Sequence, residues 1–101
     1  MKKLLLVLLI STPAVAQTEA EKRKVCQVIG DLAYQIAKER DIGTSERSLR
    51  NEAWGEDSEI MRELMMTLIE TIYKRPHKTV DEEAMLAETA CLRATFGGKR
   101  T

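Results

Sequence analysis

Two cysteines, Cys26 and Cys91, and a single histidine, His77, are the side chains that could ligate a soft metal or supply a strong nucleophile. A metal site needs several convergent ligands. His77 follows Pro76 in a connection between helices and supplies one. If the cysteines pair with each other, neither a metal centre nor a Cys–His nucleophile can be assembled. Carboxylates are plentiful, in the run Asp81-Glu82-Glu83 and in Glu56, Asp57 and Glu59. Glycosidase-type chemistry needs two carboxyls facing each other across a cleft. Here each group flanks an expected helix start, where the helix dipole favours negative charge. No catalytic residue, metal or cofactor is expected, and the chain reads as non-enzymatic.

Residues suited to recognition are easier to find. Arg62, Met66 and Tyr73 share one flank of an expected helix, off its apolar stripe. Exposed Met and Tyr beside Arg have the character of interface anchors. Against this, isolated exposed apolar residues are common on any surface. Arg40 falls on the apolar side of its helix, one turn after Ile36, and is followed by Asp41. The pair is expected to close a local contact and organise the next turn; the alternative is a partner surface. Trp54 is expected to lie as a lid on the core, with ligand binding as the alternative.

These residues need a scaffold, and the chain supplies one in two parts. Lys2 and Lys3, the apolar run Leu4 to Ile10, and Ala14-Val15-Ala16 after Pro13 have the charge, length and small-x-small end of a cleavable secretory signal. The run is far short of the ~20 residues a spanning helix needs, and no later stretch approaches it. Removing residues 1–16 from 101 leaves 85, one small domain. Loss of Lys2 and Lys3 turns 16 basic against 16 acidic side chains into 14 against 16. That gives no basic excess to attract nucleic acid or an anionic membrane. Export places the protein in the periplasm or the medium, where Cys26 and Cys91 should pair. Two unpaired buried thiols are the alternative.

The domain at 17–101 should be all-α, a small antiparallel bundle of three long helices and one short. Thr18 with Glu21 makes a capping box for the first helix. Val25, Ile29, Leu32 and Ile36 form its apolar stripe, and Gly43 its stop. A short helix from about Ser45 to Trp54 is capped by Thr44 or Ser45 and ended by Gly55. The third helix, after Asp57-Ser58 to about Lys74, carries Ile60, Met61, Leu64, Met65, Leu68, Ile69 and Ile72. A stripe that wide suits a central element contacted from two sides. The fourth opens on a second capping box, Thr79 with Glu82, and should run to about Phe96, leaving 98–101 as a loose tail.

A disulfide between two helices demands close approach, hence small side chains along the contact. Stepping by four, three and four from Cys26 gives Gly30, Ala33 and Ala37; stepping back from Cys91 gives Ala87, Ala84 and Val80. The reverse order predicts antiparallel helices, with Gly30 against Ala87, Ala33 against Ala84 and Ala37 against Val80.

The succession Cys26, Ile36-Ala37-x-x-Arg40-Asp41-x-Gly43, Ile72-Tyr73-x-x-Pro76, Thr79, Cys91 resembles a group of small exported helical proteins of bacteria and their phages. The resemblance implies the signal peptide, the terminal cysteines and the helical fold, and carries over no functional residue. The function expected is a protein-interaction module, an immunity factor, inhibitor or envelope modulator acting on another protein. A stress chaperone and a small-ligand carrier are the alternatives, and a carrier should show an internal cavity.

Overall fold

The computed structural model describes residues 18–97. The expected leader, 1–16, and the tail, 98–101, lie outside them. Among the described residues there are four α-helices and no strand. They are α1 (Glu19–Asp41), α2 (Glu46–Trp54), α3 (Glu59–Tyr73) and α4 (Val80–Leu92). None is long and apolar enough to cross a membrane.

Local chemistry sets each boundary. Thr18 Oγ1 accepts the Glu21 N–H at 3.1 Å while Glu21 Oε1 accepts the Thr18 N–H at 2.9 Å. Thr79 and Glu82 repeat the reciprocal cap at the head of α4. The Thr79 N–H holds the Glu82 carboxyl below its ordinary range. Ser45 and Ser58 cap α2 and α3 through one hydroxyl each. The first helix ends in a Schellman turn: Thr44 N–H donates to Glu39 O, Gly43 N–H to Arg40 O. Gly43 sits at φ +100°, a conformation side chains with a Cβ resist.

The antiparallel α1–α4 pair is the main contact of the fold. Cys26 and Cys91 are joined, with Cα atoms 5.4 Å apart. The fully buried face of α1 is Cys26, Gly30, Ala33, Ile36 and Ala37. Of the expected stripe only Ile36 is buried; Val25, Ile29 and Leu32 are half-covered. The small residues win the interior because they allow α4 to come closest. The seam register also differs from expectation. A Cβ on Gly30 would stand 3.2 Å from Ala84 O and 3.2 Å from Glu88 Cβ, so Gly30 faces Ala84 and Glu88 rather than Ala87. Positions three and four back from Cys91 flank the same helix line. It is the nearer, Glu88, whose stem enters the notch left by glycine, while Ala87 turns to the core cluster.

That cluster comprises Ala33, Ile36, Ala37, Leu49, Ala53, Ile69 and Ile72. α3 packs on α1 and α2, but the spine of the molecule is α1, which carries both α3 and α4. The broad stripe of α3 is therefore only partly covered. Met61, Ile69 and Ile72 are buried, whereas Ile60 is 77% exposed. Trp54 also departs from its expected place as a lid, at 65% exposed. Leu49 and Ala53, four apart, turn the inner face of α2 to the core. Trp54 is one residue, about 100°, beyond that face. Its indole lies under the Arg62 guanidinium, 5.7 Å away. Beyond Leu92 the chain makes a π-helical turn, Arg93–Gly97, where a continued α-helix was expected. Arg23 stacks on Phe96 at 5.0 Å and ties that turn to the start of α1.

Gly30→Leu should force α1 and α4 apart and cost ~1–3 kcal/mol. For a domain this size that lowers the melting temperature by roughly 5–20 °C. Breaking the disulfide should cost more, ~4 kcal/mol on the chain-entropy model. Thermal unfolding with and without reductant, beside the Gly30→Leu variant, checks both the effects and their order.

Candidate functional site

Two places gather functional side chains: a buried polar cluster where α1 and α3 end and α4 begins, and a groove beside it. The cluster is built on Arg40, whose side chain is 6% exposed. Nη1 donates to Ile72 O at 3.1 Å and Arg75 O at 3.0 Å; Nη2 donates to Lys78 O at 2.7 Å. Nε donates to Asp41 Oδ1 at 2.9 Å, and Nη2 lies 2.9 Å from the same oxygen. All five donors of the guanidinium are directed at acceptors. The local pairing with Asp41 is present, but most of the side chain reaches across the fold.

The physical reason lies in α3. Its last turn carries no basic residue, and the cations that follow, Lys74 and Arg75, are paired with Glu70 and Glu83, so another cation can serve its terminal carbonyls as a helix C-terminus favours. Pro76 then prevents the helix from continuing, and the connection turns tightly through Arg75 and Lys78. Arg40 brings the missing charge from another helix.

Glu83 completes the cluster. With Asp81 and Glu82 it forms the acidic first turn expected of α4. Those two are exposed, but Glu83 is buried, 1% accessible. Arg75 Nη2 donates to its Oε1 at 2.5 Å and Arg40 Nη1 lies 3.6 Å from its Oε2. A signal existed: Glu83 is three residues beyond Val80 and four before Ala87, in phase with the face of α4 that packs inward.

The proposed flank of Arg62, Met66 and Tyr73 is not an exposed strip. Met66 and Tyr73 are half-buried against the core cluster. The Tyr73 hydroxyl donates to Thr44 O at 2.6 Å, fastening the α1–α2 turn to α3. Burial, then the nearby Glu39 and Glu46 carboxylates, push the phenol above its ordinary value of 10.0, with Arg40 opposing. Arg62 donates to Glu56 O at 2.8 Å and covers Trp54. His77 is exposed in its connection. Among the described residues no group of His, Cys, Asp or Glu is arranged to hold a metal ion.

The groove follows from the way α3 and α4 both rest on α1 yet barely meet each other. Its volume is about 580 Å³. Ile29 of α1 forms the floor; Leu64 and Leu68 line one wall, Leu86 and Ala90 the other. The Arg75–Glu83 pair lies towards the connection between α3 and α4, and Arg93 and Thr95 of the π turn lie at the other end. Thr67, Thr71 and Thr89 edge the walls with short neutral hydroxyls. Such a space can hold an apolar body without presenting it a net charge along its length. Nothing in the sequence revealed that the stripe of α3 would face open space.

Arg40→Met should destabilise the fold by about 3 kcal/mol or more, because it leaves carbonyls and part of the Glu83 charge without their partner. Adding Glu83→Gln to it should recover part of the loss; chemical denaturation of the two single variants and the double gives the coupling. Tyr73 makes a separate expectation at alkaline pH. Its folded value is raised above the unfolded one, so its contribution is full below pH 10.0 and lost as pH rises through the folded value. Tyr73→Phe should remove that alkaline step and cost ~1 kcal/mol at neutral pH, seen in stability measured across pH 8 to about 11.5.

Compared with known protein families, with curated proteins and with solved structures, the chain matches none.

Proposed function

We propose that this chain is an exported, non-enzymatic binding protein whose ligand lies in the groove between α3 and α4. The observation that carries the reading is the groove itself. At about 580 Å³ it falls in the ~300–1,000 Å³ range of small-molecule sites. It also has their composition, mostly apolar with a few polar groups at its edges and ends. It is an open trough between helices, where the sequence led us to expect that a carrier would enclose a cavity. The groups that could have served catalysis have structural partners. The cysteines are bonded to each other, and Glu83 is held between two arginines. The leader-like segment and the disulfide are what support placing the protein outside the cytoplasm.

A protein partner is the second reading. Its support has moved from the Met66–Tyr73 flank to Trp54 and Ile60, which stay exposed on either side of the connection between α2 and α3. Arg62 stacked on Trp54 gives that end the residue types of a binding hot spot.

The neutral fluorophore N-phenyl-1-naphthylamine tests the groove directly. Its emission should rise on adding the protein, with a Kd on the order of micromolar. Thr67 is exposed at the groove edge, so Thr67→Trp should fill the space without unfolding the chain and abolish the signal. An unchanged signal in that variant, or none with the native chain, would overturn the groove reading and leave the Trp54 end as the site.

A further inference from the structure

We infer that the groove takes a free single-chain fatty carboxylate, its chain lying between α3 and α4 and its head at Arg93. This rests on the groove being the binding site and names what fills it.

The charges of the lining make the assignment. Glu83, at the end near the α3–α4 connection, is a buried carboxylate, and Arg75 is engaged with it at 2.5 Å. An anionic head cannot be placed there against Glu83, and a cationic head would meet Arg75 and Arg40. Arg93 at the other end is different. It is exposed and makes no ion pair among the described residues. Between the two ends the walls carry no charge. A ligand complementary to this pattern is neutral and apolar along its length, with one negative group at the end that emerges. The π turn contributes by bringing Arg93, Ala94 and Thr95 to the lining together.

Size separates this ligand from a helix of another protein. The helix rise from Glu83 to Arg93 is roughly 15 Å, close to the extended length of dodecanoate. A strip that long and one helix diameter wide, ~10 Å, presents on the order of 150 Å². A specific protein interface needs ~800 Å² from each partner. The groove is large enough for a chain and too small for a stable protein contact by itself.

Displacement of N-phenyl-1-naphthylamine from the purified protein tests the assignment. The competitors are dodecanoate, dodecanol and dodecyltrimethylammonium, each kept below its micelle concentration. Dodecanoate should compete best. From octanoate to dodecanoate each added methylene should tighten binding about fourfold. Arg93→Glu should weaken dodecanoate about five- to tenfold and leave dodecanol unchanged. Equal competition by dodecanol, better competition by the cation, or indifference to Arg93→Glu would overturn the carboxylate assignment. Fluorophore binding that is sensitive to Thr67→Trp but not displaced by dodecanoate would sink the ligand class and spare the groove. No fluorophore binding would remove both. A dimer that must dissociate before the fluorophore enters would give the groove to a second copy of the chain instead.

Discussion

The guanidinium of Arg40 meets three carbonyl oxygens, from Ile72, Arg75 and Lys78, that lie where α3 stops and the chain turns towards α4. Helix ends leave carbonyls without intrahelical partners, and burying them unsatisfied is expensive. Here one side chain from α1 satisfies the end of α3, holds the connection, and approaches Glu83 in the first turn of α4. Three helices are thereby registered on one another at a single point. The core cluster is small, with three of its seven residues alanines, so the polar cluster carries an unusual share of the specification.

The opposite end of the α1–α4 pair is held by covalent means. The Cys26–Cys91 bond fixes α4 to the first third of α1, and the Arg40 cluster fixes it near the last turn. Between those points the small faces let the two helices lie close. α3 is attached differently, through Ile69 and Ile72 to the core and through its C-terminal carbonyls to Arg40. With α3 and α4 both committed to α1, the space between them is left open. The groove is the geometric remainder of a three-helix arrangement in which the spine has two partners that scarcely touch.

Local features were plainly legible in the sequence. Both capping boxes, the serine caps, the left-handed Gly43 and the other helix limits depend on residues within a turn of one another and lie where the spacing put them, except the end of α4, which gives way to the π turn at Arg93. The disulfide and the antiparallel order were legible too, because cysteine chemistry and small-residue spacing restrict the choices. The azimuth of each helix was not. Whether Gly30 meets Ala87 or Glu88, whether Trp54 covers the core, whether Ile60 is buried, all turn on rotations of tens of degrees about a helix axis. Periodicity defines an apolar arc no more finely than that. Glu83 and Arg40 were missed as long-range partners because each had a sufficient local explanation, Glu83 in the acidic first turn of α4 and Arg40 in the neighbouring Asp41. The groove was missed because a sequence shows which residues are apolar, not which of them lack a neighbour.

The disulfide has one further consequence. Residues 26 and 91 lie near the two ends of the helical domain, so the bond closes a covalent ring that contains every connection between the helices. A protease that cuts an exposed site within it, beside Arg47 or Lys74 for example, opens the ring without releasing a fragment. The two pieces stay tethered, at high effective concentration, and can keep the native arrangement. Clipping then alters the chain's connectivity rather than its composition, and the molecule can outlast cuts that would disperse an unlinked bundle.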